Sequence, residues 1–400
     1  MQPKMKWILN TMPKGDDGAL SIMSRENIDK ARAFHASFPQ YEPTPLANLA
    51  NMARHLGVKG LFVKDESYRF GLNAFKALGG SFAIANYIAE QVGKNVSDCD
   101  YGYLTSPQAL EDLGPVTFFT ATDGNHGRGV AWAARKLNQK AVVRMPRGTK
   151  EARLKNIEAE GAEVTIEDLV YDDCVRLAAR QAAECDRGVL VQDTAWDGYE
   201  KVPSWIMQGY GTMVAEAVDQ LRAAGVERPS HVFVQAGVGS LAGEVIGCFA
   251  SLYPDNPPTC VVLEPHAANC HYQSALAGDG EPRACEGDML TIMAGLACGE
   301  PSTVSWAVMR NHANAFVSCA DEVSALGMRM LAAPMKGDPQ VVSGESGAVG
   351  MGVLASIMLD DDYAELRDAL GLGADSQVIL FSTEGDTDPQ GYRDIVWGER

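Results

Sequence analysis

Lys76 stands in the segment Asn73-Ala74-Phe75-Lys76-Ala77-Leu78-Gly79-Gly80-Ser81, a single cation among apolar and small residues at the start of a helical pattern. Apolar surroundings disfavour an ammonium and lower its pKa, which is how a lysine becomes a Schiff-base nucleophile near neutral pH. The plainer alternative is a surface lysine snorkelling from a helix. A second segment, Thr120-Ala121-Thr122-Asp123-Gly124-Asn125-His126-Gly127, follows a strand pattern and opens a helix. Its successive amides form an anion site suited to a substrate carboxylate, and the Asn125 side chain can reach a ring hydroxyl of a cofactor; a glycine turn with an aspartate cap is the alternative. A third, His231 to Gly243, again reads strand, glycine loop, helix. Gly237, Val238, Gly239 and Ser240 make a phosphate cradle, with Ser240 adding a hydroxyl. The same loop satisfies much of a dinucleotide fingerprint, because Glu264 closes the next strand where a ribose-binding acid would sit, so a nicotinamide oxidoreductase stays open at this point. The fourth, Val378 to Asp386, is an apolar strand running into Ser382 and Thr383. A hydroxyl there could meet a pyridine nitrogen and leave it unprotonated, unless it merely caps the strand.

These segments need a scaffold. Short β-branched runs alternate with amphipathic stretches for most of the 400 residues, the pattern of an α/β protein with largely parallel sheets. Strands are predicted at 60–64, 116–121, 141–145, 163–166, 190–192, 231–235, 259–264 and 378–382, and helices at 77–90, 127–137, 150–160, 172–183, 209–224 and 241–252.

A formal net charge of -18 without a dense basic cluster disfavours a nucleic-acid partner and favours a small-molecule ligand. The apolar stretches stop short of the roughly 20 residues a membrane span needs, and no signal-peptide core precedes Pro13, so the cytoplasm is the expected compartment. The nine cysteines show no zinc-ligand spacing with the seven histidines, so no metal is expected. They read as reduced thiols, although Cys270 and Cys298 could pair if the fold brought them together.

In this chain order, each at a strand end or helix start, the four segments resemble the fold-type II, tryptophan synthase β-like enzymes that use pyridoxal 5′-phosphate. Gln208-Gly209-Tyr210-Gly211-Thr212 resembles the helix start of serine and threonine dehydratases, and Ser343-Gly344-Glu345-Ser346-Gly347-Ala348 one of their loops. Within the group the departures resemble the diaminopropionate ammonia-lyases: Asp123 where dehydratases carry a small residue, Lys64 to Lys76, Gln192-Asp193-Thr194-Ala195-Trp196, and Ser382 to Asp388. The resemblance implies that Lys76 carries the cofactor, with Asn125, Gly237 to Ser240, and Ser382 or Thr383 holding it. It implies elimination of 2,3-diaminopropionate to pyruvate and two ammonia, with Thr122, Asp123, Gly124, Asn125, His126 and Asp193 around the substrate. Lys76 and Asp123 would act as bases on opposite faces, admitting both enantiomers, and Asp193 would meet the substrate's amino group, since an acid suits a diamine. It also implies a small domain, 75–168, inserted into a large one, 1–74 with 169–400, and a homodimer. A serine or threonine dehydratase is the alternative on the same scaffold.

Overall fold

In the computed structural model, which describes residues 3–122 and 124–398, the β-branched runs form two sheets. The strands are β1 (Met5–Leu9), β2 (Leu46–Asn48), β3 (Gly60–Asp65), β4 (Thr117–Ala121), β5 (Lys140–Met145), β6 (Glu163–Ile166), β7 (Gly188–Leu190), β8 (His231–Gln235), β9 (Thr259–Pro265), β10 (Ala315–Cys319) and β11 (Gln377–Ser382). The larger sheet runs β1-β10-β9-β8-β11-β3-β2 and the smaller β6-β5-β4-β7. Pairing is parallel except at the two edges of the larger sheet, where β1 lies antiparallel to β10 and β2 antiparallel to β3. Parallel strands with helices between them put all the central carboxyl ends on one side, where α/β sheets bind ligands.

Three strands have no counterpart in the sequence reading: β1, β2 and β10. The helix expected at 209–224 is the 23-residue Lys201–Ala223. Pro203 falls in its first turn, where a missing N–H costs nothing, and the Gly209–Thr212 motif is therefore helix interior rather than a helix start. A Cβ on Gly209 would come within 2.4 Å of Leu78 O, so this glycine lets the helix lie directly on the segment that follows Lys76. The small lobe also reaches further than 168, because β7 pairs with β4 through Phe119↔Leu190. That three-residue strand is too short to announce its sheet in the sequence. The two sheets share apolar packing, with Phe118 and Val143 of the small one in the same buried cluster as Val232, Val262 and Ile379 of the large one.

A fully buried charge cluster fixes the approach to Lys76. Lys64 Nζ donates to Glu216 Oε2 at 2.7 Å and to Thr44 O at 2.7 Å, while Arg69 donates to both Glu66 and Glu216 at 2.8 to 2.9 Å. Two cations and two carboxylates cancel, which such burial requires. Beyond the cluster the chain turns through Phe70 (φ 50°) and Asn73 (φ 59°). Phe75 N then donates to Thr383 O at 3.1 Å, and Gly385 N to Asn73 O at 3.0 Å. Those bonds seat Lys76 beside the end of β11.

Candidate active site

A cleft of about 1030 Å³ lies between the sheets at their carboxyl ends. Lys76, Thr122, Asn125, His126, Asp193, Gly237 to Ser240 and Thr383 all line it, so residues from the four sequence segments meet in one place. Asp123 lies outside the described residues. Gly124 sits at the N-cap of the helix Asn125–Lys136, its amide donating to Thr122 Oγ1 at 2.9 Å. Ser382 is turned away: its hydroxyl donates to Ser343 Oγ at 2.8 Å, and it is Thr383 that reaches the cleft, accepting from Gln235 Nε2 at 2.8 Å.

The electrostatic centre is the contact between Lys76 Nζ and Asp193 Oδ2. His126 Nδ1 lies 3.7 Å from the same carboxylate oxygen, and its Nε2 donates to Val191 O at 2.9 Å. Burial alone would push the Asp193 carboxyl up, but the neighbouring His126 and Lys76 charges outweigh it and hold it at about 2. For Lys76 the sequence reading had the opposite sign. Burial does lower its pKa, but the Asp193 carboxylate overrides burial and raises it above the ordinary lysine value. The lysine is therefore held as an ammonium, and it becomes a nucleophile only when that pairing is relieved. Asp193 is itself fixed by its neighbours, because its carbonyl accepts from Ser240 Oγ at 2.5 Å, which ties it to the glycine loop.

That loop has the form of an anion cradle. Gly239 has φ +101°, and a Cβ there would come within 2.7 Å of three side chains, so only glycine fits. No amide from Gly237 to Ser240 meets a protein acceptor among the described residues, and the helix Ser240–Leu252 adds its positive end. Two buried cleft oxygens, Gln235 Oε1 and Ser346 Oγ, likewise lack protein partners. A phosphorylated ring aldehyde fits this set: free amides for the phosphate, unpaired polar atoms for ring substituents, and a lysine for the aldehyde.

The dinucleotide alternative fails on Glu264. It is fully buried, and its two oxygens accept from His271 N (2.9 Å), His271 Nδ1 (2.7 Å) and Tyr272 N (2.7 Å), leaving nothing for a ribose. It caps the helix Cys270–Ala277 instead. Cys270 and Cys298 are not bridged; Cys298 lines the cleft and Cys270 is buried.

An acidic wall of the same cleft has no counterpart in the sequence reading. Asn125 Nδ2 donates to Glu384 Oε2 at 2.5 Å, and Glu384 Oε1 accepts from Ser346 N at 3.2 Å. Glu345 lies alongside, raised to about 7 by burial first and by the like charge of Glu384 second. Lys150 of the small lobe reaches across to Asp388. Glu345 falls inside a motif the sequence analysis singled out as a loop, but nothing in the sequence marks it as a cleft residue.

Comparison with known proteins agrees with this geometry. Residues 38–383 match the family described as pyridoxal-phosphate dependent enzyme. The chain is 49% identical to the diaminopropionate ammonia-lyase of Salmonella typhimurium over the full length of both, and 48% identical to that of Escherichia coli K12 over 94% of this chain and 92% of the relative. Among solved structures, E. coli diaminopropionate ammonia lyase in complex with D-serine superposes with a TM-score of 0.91 at 44% identity, covering 99% of this chain and 98% of that one. The same enzyme in complex with an aminoacrylate-PLP azomethine reaction intermediate superposes at 0.89, with the same identity and coverage. With the lysine, the cradle and the cleft in place, and a family match over most of its length, the chain belongs to the pyridoxal-phosphate dependent enzymes and, within them, to the diaminopropionate ammonia-lyase family.

Proposed function

We propose that this chain is a lyase that eliminates the β-amino group of 2,3-diaminopropionate, after which hydrolysis by one water releases the α-amino group, giving pyruvate and two ammonia. The observation that carries the reading is the buried Asp193 carboxylate against Lys76 in a cleft otherwise matched to a phosphorylated cofactor. When bound, pyridoxal 5′-phosphate supplies the electron sink that stabilises negative charge at the substrate Cα. The protein's residues do the rest. Amides at the start of the helix Asn125–Lys136 orient the substrate carboxylate. The Lys76 amine, as free base, would take the Cα proton on one face. Asp193, ionised at any neutral pH, pairs with the substrate's β-ammonium, a group that serine and threonine lack, and so keeps it in the protonated form that departs as ammonia. Asp123 is the candidate base for the opposite face, which admits the second enantiomer.

The cofactor-ring contacts are assigned to Asn125 and Thr383, with Gly237 to Ser240 on the phosphate. A homodimer in the cytoplasm is the expected setting, supported by the general prevalence of two-fold assemblies; no helix among the described residues is long and apolar enough to cross a membrane. The test is pyruvate release from D- and L-diaminopropionate beside D- and L-serine and 2-oxobutyrate release from L-threonine, with Lys76→Ala as control. The lyase reading expects the diamine to be preferred, and expects Lys76→Ala to lose turnover and borohydride-trapped cofactor together. Preference for a hydroxy amino acid would favour a dehydratase, and trapped cofactor in the variant would remove Lys76 from its role.

A further inference from the structure

His271 is an odd residue to bury. Its ring is fully enclosed, and Nε2 has no hydrogen-bond partner among the described residues. Leaving a buried polar atom unpaired is unfavourable, and a phenylalanine would fill the space without that cost. The orientation is fixed, however. A carboxylate only accepts, so the 2.7 Å contact from Nδ1 to Glu264 Oε1 places the proton on Nδ1 and leaves Nε2 pointing the other way. That direction is the glycine loop: an ideal Cβ on Gly239 would lie 2.6 Å from His271 Nε2, 2.7 Å from Ser305 Oγ and 2.7 Å from Met309 Cε. The ring thus forms part of the floor under the left-handed turn of Gly239.

The floor is braced on both sides. Ser302 N and Ser305 Oγ donate to Val238 O at 2.8 and 3.4 Å, and the Trp306 ring lies 6.1 Å from that of His271. Glu264, Cys270 and His271 also present their donor atoms within 4.8 Å of one another. In this structure, though, the 2.7 Å contact is a hydrogen bond, and both Glu264 oxygens are committed to the ring and the two amides at the start of the Cys270–Ala277 helix.

We infer that His271, clamped by Glu264, is a positioning residue of the cradle: it holds Gly239 in the turn that makes the Gly237 to Ser240 amides converge, and so sets affinity for the phosphate end of the cofactor. This rests on the reading of that loop as the phosphate site. Phosphate recognition is separable from the rest of cofactor binding, because Lys76, Asn125 and Thr383 lie on other elements. The experiment titrates cofactor-free protein with pyridoxal 5′-phosphate and, in parallel, with pyridoxal, for wild type, His271→Phe and His271→Gln, with thermal melts of each in the absence of cofactor. His271→Phe keeps the ring and loses both nitrogens; it is expected to weaken pyridoxal 5′-phosphate about tenfold, the worth of roughly one hydrogen bond, and to leave pyridoxal unchanged. His271→Gln, which keeps a donor toward Glu264, is expected to lose less, and it carries the test if the phenylalanine variant does not fold. Equal weakening of both ligands, or of neither, would overturn the role of His271. A wild type that binds pyridoxal as tightly as its phosphate ester would overturn the phosphate-site reading itself.

Discussion

Replacing Asp193 by asparagine removes the charge that holds Lys76 as an ammonium while keeping the side chain's shape. Both groups are largely enclosed, with side-chain exposures of 19% for Lys76 and 6% for Asp193, so solvent screens the pair little. Deleting one partner of a buried ion pair costs about 3 to 5 kcal/mol, and at roughly 1.36 kcal/mol per pKa unit this is a fall of about two to four units in the Lys76 pKa. The sign follows from the opposing causes: the carboxylate raises the lysine and burial lowers it, so without the carboxylate burial prevails. An amine attacks an aldehyde only as the free base. Below the wild-type pKa its free-base fraction, and with it the rate of covalent cofactor uptake, therefore grows about tenfold for each unit gained. The assay follows the absorbance change as cofactor-free protein takes up pyridoxal 5′-phosphate across a pH series. The asparagine variant is expected to reach a given rate at least about two pH units lower than wild type, and at the same time to lose about a hundredfold in diaminopropionate turnover, the worth of one charge-assisted pair with the substrate's β-ammonium. Superimposable pH profiles would refute the electrostatic account of the site.

Asp123→Asn is expected to abolish most pyruvate release from one enantiomer of diaminopropionate, the D form by the resemblance, and to reduce the other less; equal losses would make Asp123 a binding group rather than a face-specific base. Glu345→Gln addresses stability. A carboxyl raised from its ordinary 4.5 to about 7 binds more protons folded than unfolded, so its contribution is full below about pH 4.5 and is lost as pH climbs through about 7. The glutamine variant, lacking that titration, should match wild type near pH 4 and exceed it near pH 8 by on the order of 3 kcal/mol, measured from denaturant midpoints of cofactor-free protein. Parallel stability curves for the two proteins would remove the account in which burial, joined by the like charge of Glu384, raises the Glu345 carboxyl.

Elements whose signal is local were legible. Glu163–Ile166 and His231–Gln235 fall where the sequence places them, and the glycine loop after β8 sits in the cleft, because a β-branched run followed by glycines and a helix carries its own instructions. Elements that exist through partners far along the chain were not. β1 is a strand because Met5 to Leu9 pair with Cys319 to Ala315, and neither run states that alone. The helix expected from Gly209 onward is there, but its first turns, from Lys201, were not legible, because Gly209 and Gly211 oppose local propensity in mid-helix and are held by packing on Leu78 and Glu244. The same distance defeats electrostatics: Lys76 among apolar neighbours reads as depressed, and the sign reverses only when a residue 117 positions away arrives beside it. Glu264 shows the converse, a position that fits a ribose-binding fingerprint in spacing but spends its oxygens on a helix start.

The close seat of Gly129 has a bearing on how such a site changes over generations. A Cβ at this position would fall 2.8 Å from the backbone carbon of Lys76 and 2.8 Å from Ala77 N, and a Cβ on the facing Gly80 would fall 3.2 Å from the Gly129 carbonyl carbon. The helix that carries Asn125 and the helix that begins after Lys76 are thus spaced by main chain against main chain, with no side chain between them to be trimmed or enlarged in compensation. Side chains elsewhere in the cleft, such as Glu345 and Asp388, can be exchanged one at a time for others of different size or charge, whereas the spacing of lysine and asparagine admits no intermediate sizes. Substrate choice is free to drift in such a scaffold, and the alignment of its two central residues is not.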